Sequence, residues 1–270
     1  MHAPNYTEII ETNGDFTYKY FKIGDSGKNL VFLHGLAGCK DSQPHFFKQL
    51  LENNTCYFLD LPGHNFLNAG EIKTVESFNL YLNNFLSFNK IDNPIFIGFS
   101  IGGNICYNFC KDFYRRTGKI IPTILWSSPL FIKKSYMTFR SKLSVFMLGI
   151  LPDWAYKSKS LILLNKLLKL LRIPLSTKDM EAVINFDTGV AALYNEYFKI
   201  PLFPTNKNEK TLFVYGTNDV FVNVEIYDEL KLIGEGQQKH LVENGGHFGP
   251  DEAQQKSVGL IKKYIDDVLV

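Results

Sequence analysis

The chain has 270 residues, 45% of them hydrophobic, which suits one α/β domain with an insertion better than two independent domains. Its 29 basic and 27 acidic residues leave a net charge of only +2, so the charge balance gives no reason to expect a nucleic-acid partner. No apolar run approaches the ~20 residues of a membrane-spanning helix, and the N-terminus lacks the basic start and apolar stretch of a secretory signal.

Strand and helix patterns alternate along most of the chain. Phe16–Ile23 alternates apolar or aromatic with polar residues, which predicts an antiparallel edge strand. Apolar or β-branched segments predict further strands near 30–34, 55–60, 94–99, 121–127, 210–215 and 238–243. Helical spacing of apolar residues falls near 42–53, 74–89, 101–116, 223–233 and 251–268. Such alternation is typical of an α/β protein with a parallel sheet.

Residues 131–204 interrupt this alternation and contain no convincing strand pattern. Successive helical patterns lie there, near 134–148, 154–171, 177–185 and 188–198. Pro152 and Pro174 separate neighbouring helices, because proline cannot continue a helix. An insertion between two core strands should fold over the strand ends. We therefore predict a core of residues 1–130 and 205–270 and a helical cap of residues 131–204.

A serine stands between glycines where a predicted strand meets a predicted helix. The motif is Gly98-Phe99-Ser100-Ile101-Gly102-Gly103. A serine at such a corner is exposed at the end of the sheet, and nearby glycines prevent steric clashes there. The helix that follows points its N-terminal amides and positive dipole end at the same place. We interpret Ser100 as a candidate nucleophile; the short motif alone fits a turn serine without catalytic duty equally well.

A serine hydroxyl is a weak nucleophile at neutral pH and needs a base, for which histidine is the natural choice. Of the six histidines, His247 is the best placed, because it follows Gly245-Gly246 just after a predicted strand. Loops at strand ends are where sites concentrate in open α/β sheets. His247 is therefore the candidate base, and an exposed loop histidine is the alternative.

The base in turn needs a carboxylate to orient it. Asp219 lies in the turn Gly216-Thr217-Asn218-Asp219, directly after the apolar strand pattern near 210–215. The chain order Ser100, Asp219, His247 matches one known arrangement of this triad. Asp60 also ends a strand, but it precedes the serine, and its Leu61-Pro62-Gly63-His64 loop favours an aspartate that bonds the backbone. We therefore prefer Asp219.

The tetrahedral intermediate of acyl transfer needs two fixed hydrogen-bond donors. The loop His34-Gly35-Leu36-Ala37-Gly38 follows the strand near 30–34. The backbone N–H groups of Leu36 and Ile101 are the predicted oxyanion hole. His34 is interpreted as a brace for this loop that transfers no proton, and Gly35, Gly98 and Gly102 support the motifs.

Five motifs in this order resemble the α/β-hydrolase fold superfamily, and specifically its capped, esterase- or lipase-like serine hydrolases. They are His34-Gly35, Asp60-Leu61-Pro62-Gly63-His64, Gly98-Phe99-Ser100-Ile101-Gly102-Gly103, Gly216-Thr217-Asn218-Asp219 and Gly245-Gly246-His247. The resemblance implies a mostly parallel eight-stranded sheet with helices on both faces, a triad at the C-terminal strand ends and an inserted helical cap. Family members commonly carry histidine where Phe99 stands and glycine where Asn65 stands, although asparagine tolerates positive φ.

The predicted activity is hydrolysis of a carboxylic ester or thioester with a small to medium, apolar acyl group, through an acyl-enzyme on Ser100. Two alternatives stay open. The same triad can hydrolyse a carbon–carbon bond or remove a small acid from a cofactor precursor, and a chain of this fold can also be a non-catalytic ligand receptor.

The expected partner is a small-molecule ester, and no metal or cofactor motif is visible. Four cysteines without paired spacing suggest a reduced compartment, so a cytoplasmic location is expected. The predicted cap is rich in leucine on one side and lysine on the other, which is explained mainly by packing on the core. Two other interpretations are that part of this apolar surface lines an acyl pocket and that the cap contacts lipid transiently, without stable insertion. The oligomeric state is not predicted.

Overall fold

An eight-stranded sheet forms the centre of the molecule in a computed structural model. The structure describes residues 6–36, 38–42, 44, 47–131, 136–139, 142, 186–201, 208–247 and 251–268. The strands are β1 Glu8–Asn13, β2 Phe16–Ile23, β3 Lys28–Leu33, β4 Asn54–Leu59, β5 Ile95–Phe99, β6 Thr123–Trp126, β7 Thr211–Gly216 and β8 Gln237–Val242. Their order across the sheet is β1-β2-β4-β3-β5-β6-β7-β8. The predicted fold class is confirmed.

Six neighbouring strands of this sheet, from β4 through β3 and on to β8, are parallel to one another. Parallel strands have their carboxyl ends at the same edge of the sheet, so the loops after β3, β4, β5, β7 and β8 meet there. All the predicted site residues lie in or beside these loops.

The prediction that Phe16–Ile23 is an edge strand is wrong. Strand β1 lies outside β2 and pairs with it antiparallel, from Glu8↔Phe21 to Asn13↔Phe16. The two strands are joined by a two-residue turn in which Gly14 has φ +59°. The two turn residues are Gly14-Asp15, and glycine at the first turn position is a hairpin signal. The signal was missed because β1 is polar and largely exposed, with too little apolar alternation to be recognised as a strand.

Six α-helices accompany the strands in the described residues. They are α1 Lys48–Leu51, α2 Val75–Phe88, α3 Ile101–Thr117, α4 Ala191–Tyr197, α5 Ile226–Glu229 and α6 Asp251–Val268. Helix α2 begins with a capping box between Thr74 and Ser77, and Gly118, with φ +71°, ends α3. The predicted helix near 188–198 corresponds to a 3₁₀ turn at Thr188–Val190 followed by α4.

Two of the predicted helices are shorter than expected. Among the described residues of the span 42–53, α1 covers Lys48–Leu51, and Ser42 belongs to a 3₁₀ turn at Lys40–Ser42. The pattern near 223–233 forms only α5, which Leu230 ends in an extended conformation. There Lys239 Nζ donates to the carbonyls of Tyr227 and Leu230, at 2.6 and 3.1 Å, and so caps the helix end.

The sheet is buried on both faces. Alternate residues of β3 point to opposite sides, so Val31 packs with α2 and α3 in one cluster while Phe32 packs with α6 in another. This two-sided burial explains why the parallel strands appear in the sequence as continuous apolar runs. No helix among the described residues is long and apolar enough to cross a membrane.

Most of the predicted cap, including the helices near 154–171 and 177–185, lies outside the described residues. The helix predicted near 134–148 is described only in part. Met137 there makes an isolated antiparallel bridge with Val222, so this part of the pattern is extended. At the other end of the insertion, Phe131 bridges Pro201 in parallel.

Candidate active site

Ser100 occupies a sharp, strained corner between β5 and α3. Its φ and ψ are 53° and −124°, a region that residues other than glycine rarely adopt. Two backbone bonds hold the corner: the Ser100 amide donates to the Trp126 carbonyl at 2.9 Å, and the Ser100 carbonyl accepts from the Gly103 amide at 3.0 Å. The side chain stays partly exposed to solvent. This is the geometry that a serine nucleophile at a strand-to-helix turn requires.

The glycines around Ser100 are required by close backbone contacts. A Cβ atom on Gly98 would lie 2.4 Å from the Gly103 Cα, and one on Gly102 would lie 2.3 Å from the Leu33 carbonyl oxygen. Glycine therefore lets the first turn of α3 pack directly against β5 and against the end of β3.

The loop after β3 lies against the serine. A Cβ atom on Gly35 would be 3.2 Å from the Ser100 Cβ, and the Gly38 amide donates to the Gly35 carbonyl at 3.0 Å to close the loop. Leu36 follows Gly35 in this loop, and Ile101 is the first residue of α3. The fold thus brings the two elements that carry the predicted oxyanion-hole amides together at Ser100.

His247 and Asp219, which are 28 residues apart in the chain, form a direct pair. The imidazole Nδ1 lies 2.9 Å from Asp219 Oδ2 and 3.1 Å from Oδ1. The side chains are only 4% and 1% exposed, so this hydrogen-bonded pair is shielded from water. Asp219 Oδ1 also accepts from the amides of Phe221 and Val222, at 2.8 and 2.9 Å.

These bonds keep the Asp219 carboxylate charged. Burial alone would raise the pKa of Asp219, but the charge and hydrogen bond of His247, together with the Phe221 and Val222 amides, outweigh it and lower the pKa. A charged carboxylate at Nδ1 favours the imidazole tautomer that bears its proton on Nδ1, which leaves Nε2 without a proton.

Two phenyl rings pack on the imidazole, and one of them belongs to the residue before Ser100. The ring centroid of His247 lies 4.8 Å from that of Phe99, the residue before Ser100, and 4.9 Å from that of Phe221. Phe99 itself packs on Trp126 at 5.3 Å. The phenyl ring at the position where relatives commonly carry histidine therefore supports His247. The sequence analysis did not predict that Phe221 packs on His247, although its position two residues after Asp219 could have suggested this contact.

His34 has the contacts of a structural residue. It is 1% exposed, its Nε2 accepts from the Leu61 amide at 2.9 Å, and its Nδ1 lies 2.8 Å from the Gly35 carbonyl. This pattern requires a neutral ring with its proton on Nδ1. Such a ring ties the loops after β3 and β4 together, as expected of a brace.

Asp60, the competing aspartate, is fully buried and engaged in structural bonds. It accepts from the Lys40 amide at 2.7 Å and from Asn65 Nδ2 at 2.8 Å, and its Oδ2 lies 3.3 Å from Lys40 Nζ. Lys40 is 1% exposed and also pairs with Glu8 and Asp41. Burial alone would lower the pKa of Lys40, but the three carboxylates outweigh it and raise the pKa. No feature of the sequence signalled this buried lysine.

The C-terminal end of the insertion packs on the loop after β4. Tyr194 donates its hydroxyl to the Pro62 carbonyl at 2.7 Å, and the Asp187 amide donates to the Gly63 carbonyl at 2.7 Å. His64 lies under Tyr194, with ring centroids 5.0 Å apart. Complete burial is the main cause that lowers the pKa of His64 well below its ordinary value, so its ring is neutral.

Asn65, at the position where relatives commonly carry glycine, adopts φ 49°. This is the left-handed conformation that the sequence predicted asparagine would tolerate there. Within the part of the chain that the structure describes, no group of three or more His, Cys, Asp or Glu side chains is arranged to hold a metal ion.

Comparisons with known proteins agree with this architecture. The family model of the α/β-hydrolase fold matches residues 28–155. A solved structure described as a candidate lipase, from Acinetobacter baumannii AYE, is 23% identical with a TM-score of 0.75, over 97% of this chain and 92% of its own. No curated protein sequence matches the chain significantly.

Other structural neighbours catalyse different reactions. An esterase from Exiguobacterium antarcticum is 17% identical with a TM-score of 0.69, over 93% of this chain and 96% of its own. An epoxide hydrolase from Bacillus megaterium is 16% identical with a TM-score of 0.69, over 93% of this chain and 97% of its own. Such identities show the fold and leave the reaction open. The family match over residues 28–155 and the observed eight-stranded sheet together show that this chain has the α/β-hydrolase fold.

Proposed function

We propose that the protein is a serine hydrolase that cleaves a carboxylic ester or thioester by way of an acyl-enzyme. The observation that carries the proposal is the buried Asp219–His247 pair, which packs beside Phe99 next to the strained Ser100 corner. A structural turn serine does not require an oriented imidazole as its neighbour, whereas a nucleophile does. The esterase and the candidate lipase among the structural neighbours add support for this class.

In the proposed mechanism, His247 Nε2 takes the proton of the Ser100 hydroxyl as its Oγ attacks the substrate carbonyl carbon. The carbonyl oxygen becomes an oxyanion that accepts bonds from the Leu36 and Ile101 amides, while Asp219 stabilises the imidazolium. Collapse breaks the ester bond, and the leaving group takes the proton from His247. Water, deprotonated by His247, then attacks the acyl-enzyme, and the second collapse releases the acid and returns the proton to Ser100.

The residues around the serine support an apolar acyl group. Phe99 and Phe221 are partly exposed and pack on the His247 imidazole, and the partly exposed Leu36 follows Gly35, which lies against Ser100. Their side chains can contact hydrocarbon but cannot satisfy a charged group. We accordingly propose esters of small to medium, apolar acids as substrates.

We also propose that residues 131–204 form a cap over this site. Its support is that both described ends of the insertion are bonded to loops at the carboxyl edge of the sheet. Tyr194 bonds the Pro62 carbonyl at one end, and Thr138 bonds the Val220 carbonyl at the other. A segment anchored in this way starts and finishes beside the proposed catalytic residues.

The test is labelling of the purified protein with a fluorophosphonate, together with turnover of p-nitrophenyl esters of increasing chain length. We expect Ser100 to be the labelled residue, and Ser100→Ala to abolish labelling and lower kcat by roughly 10⁴-fold or more. The exposed Ser87 on α2 provides a matched control, and Ser87→Ala should retain full activity.

Several results would contradict the proposal. Unchanged turnover in the Ser100→Ala protein would exclude the serine as nucleophile. A wild-type protein that reacts with neither the fluorophosphonate nor any ester would point to a ligand receptor instead. Cleavage of a diketone with no cleavage of esters would point to a carbon–carbon bond hydrolase.

A further inference from the structure

A short extended segment at the start of the insertion pairs with the loop that carries the candidate acid. We call Tyr136–Thr138 the strap and residues 219–223 the acid loop. Met137 in the strap forms an antiparallel bridge with Val222 in the acid loop. Both side chains are buried, at 9% and 1% exposure, so water does not compete strongly for the bonds between the two segments.

Three hydrogen bonds join the strap to the acid loop. The Asn223 amide donates to the Tyr136 carbonyl at 2.7 Å, and the Thr138 amide donates to the Phe221 carbonyl at 3.0 Å. The third is made by a side chain: the Thr138 hydroxyl donates to the Val220 carbonyl at 2.6 Å. Thr138 therefore bonds two successive carbonyls of the acid loop.

The same loop is bonded to the candidate acid on its other side. The amides of Phe221 and Val222 donate to Asp219 Oδ1, while the Phe221 carbonyl accepts from Thr138. The Phe221 ring also packs on His247. The peptide groups that fix the carboxylate are thus the ones that the strap fixes. A shift of the strap would be passed to both members of the Asp219–His247 pair.

We propose that Thr138 is a positioning residue, which holds the acid loop in the conformation that keeps Asp219 on His247 Nδ1. This inference rests on the proposed function, since it assigns Thr138 a part in orienting the base. It also makes the start of the inserted segment part of the catalytic framework. The bond from the Thr138 hydroxyl to the Val220 carbonyl is the contact that a substitution can remove without changing the shape of the side chain.

The experiment compares Thr138→Val, which loses the hydroxyl at nearly constant volume, with Thr138→Ser, which keeps it. Thr55 provides a matched control, because its hydroxyl also donates to a backbone carbonyl, that of Ser26 at 3.0 Å, and it lies at the opposite edge of the sheet. Each variant is assayed for kcat and KM on a p-nitrophenyl ester, for the rate of fluorophosphonate labelling, and for the far-downfield proton resonance of the imidazole Nδ1–H.

We expect Thr138→Val to lower kcat and the labelling rate by about tenfold with little change in KM, because a small misplacement of reacting groups lowers rate more than binding. Its downfield resonance should broaden or disappear. Thr138→Ser should restore all three readouts to within about twofold, and Thr55→Val should leave them unchanged. Equal rates and an intact resonance in the Thr138→Val protein would overturn the proposal.

Amide hydrogen exchange of the wild-type protein provides a second test, which does not depend on how a variant folds. The Thr138 and Asn223 amides should exchange as slowly as those of Phe221 and Val222. Rapid exchange at Thr138 would show that the strap is not hydrogen-bonded to the acid loop and would refute the proposal. The two proposals can fail separately. A wild-type protein that is not labelled contradicts the hydrolase, whereas normal labelling of both wild type and Thr138→Val contradicts only the role of Thr138.

Discussion

Replacing Asp219 by asparagine tests the proposed catalytic geometry most directly. Asparagine has the same shape as aspartate, and its Oδ1 can still accept from the Phe221 and Val222 amides, now at 2.8 and 2.9 Å. The position of Oδ2, which lies 2.9 Å from His247 Nδ1, would be taken by an NH₂ group. That group donates and cannot accept, and Oδ1, 3.1 Å from Nδ1, already accepts from two amides, so the tautomer with its proton on Nε2 is favoured.

An imidazole with its proton on Nε2 cannot accept the proton of Ser100. We therefore expect kcat to fall by about 10⁴-fold, equivalent to about 5 kcal/mol of barrier, with KM nearly unchanged. Asp112 is the matched control, because it is an aspartate at the surface of α3 that bonds only a neighbouring arginine in an i,i+4 pair. Its replacement by asparagine should leave turnover intact.

The same substitution also changes the pH dependence of stability. Since folding lowers the pKa of Asp219, the charged carboxylate stabilises the wild-type protein above the unfolded pKa of about 3.9, and this contribution is lost as the pH falls through the folded value. Urea unfolding should show the largest difference in unfolding free energy between wild type and Asp219→Asn near neutral pH and a smaller one in acid.

For the catalytic prediction, an Asp219→Asn protein that keeps more than a tenth of the wild-type kcat would refute the reasoning.

Two further substitutions test how the site is built. Gly102→Ala would place a methyl group 2.3 Å from the Leu33 carbonyl oxygen, so α3 must move away from β3, and we expect urea unfolding to show a loss of about 3 kcal/mol together with reduced labelling of Ser100. Lys40→Met would leave the Asp60 carboxylate buried without its ammonium partner, and the expected loss of unfolding free energy is about 3–5 kcal/mol.

Each of these substitutions has a matched control in α6. Gly259→Ala adds its methyl group to open space in a helix, so the protein should be as stable as the wild type or slightly more stable. Lys256→Met removes an exposed i,i+4 pair with Glu252 and should cost less than about 1 kcal/mol. If a core substitution proves no more costly than its control, the packing argument for that position is wrong.

The local elements of the fold could be predicted because their signals lie within short stretches of sequence. Continuous apolar runs identified the parallel strands, and the glycines around Ser100 identified the strand-to-helix corner. Such signals are less informative where an element is stabilised by residues far away in the sequence. The hairpin strand β1 was missed because its pairing with β2, not its own polar sequence, makes it a strand. The end of helix α5 is capped by Lys239, a residue of β8 that lies outside the local sequence pattern.

For the site, the sequence by itself identified which side chains could do the chemistry and at which edge of the sheet they should lie. Chain order, strand ends and the chemical properties of serine, histidine and aspartate are all local or generic information. Only the tertiary structure decided that Asp219 and His247 bond each other, that Phe99 and Phe221 hold the imidazole, and that Lys40 neutralises Asp60. Those contacts join residues of different loops, and their distances depend on how the whole sheet packs, which no short stretch of sequence encodes.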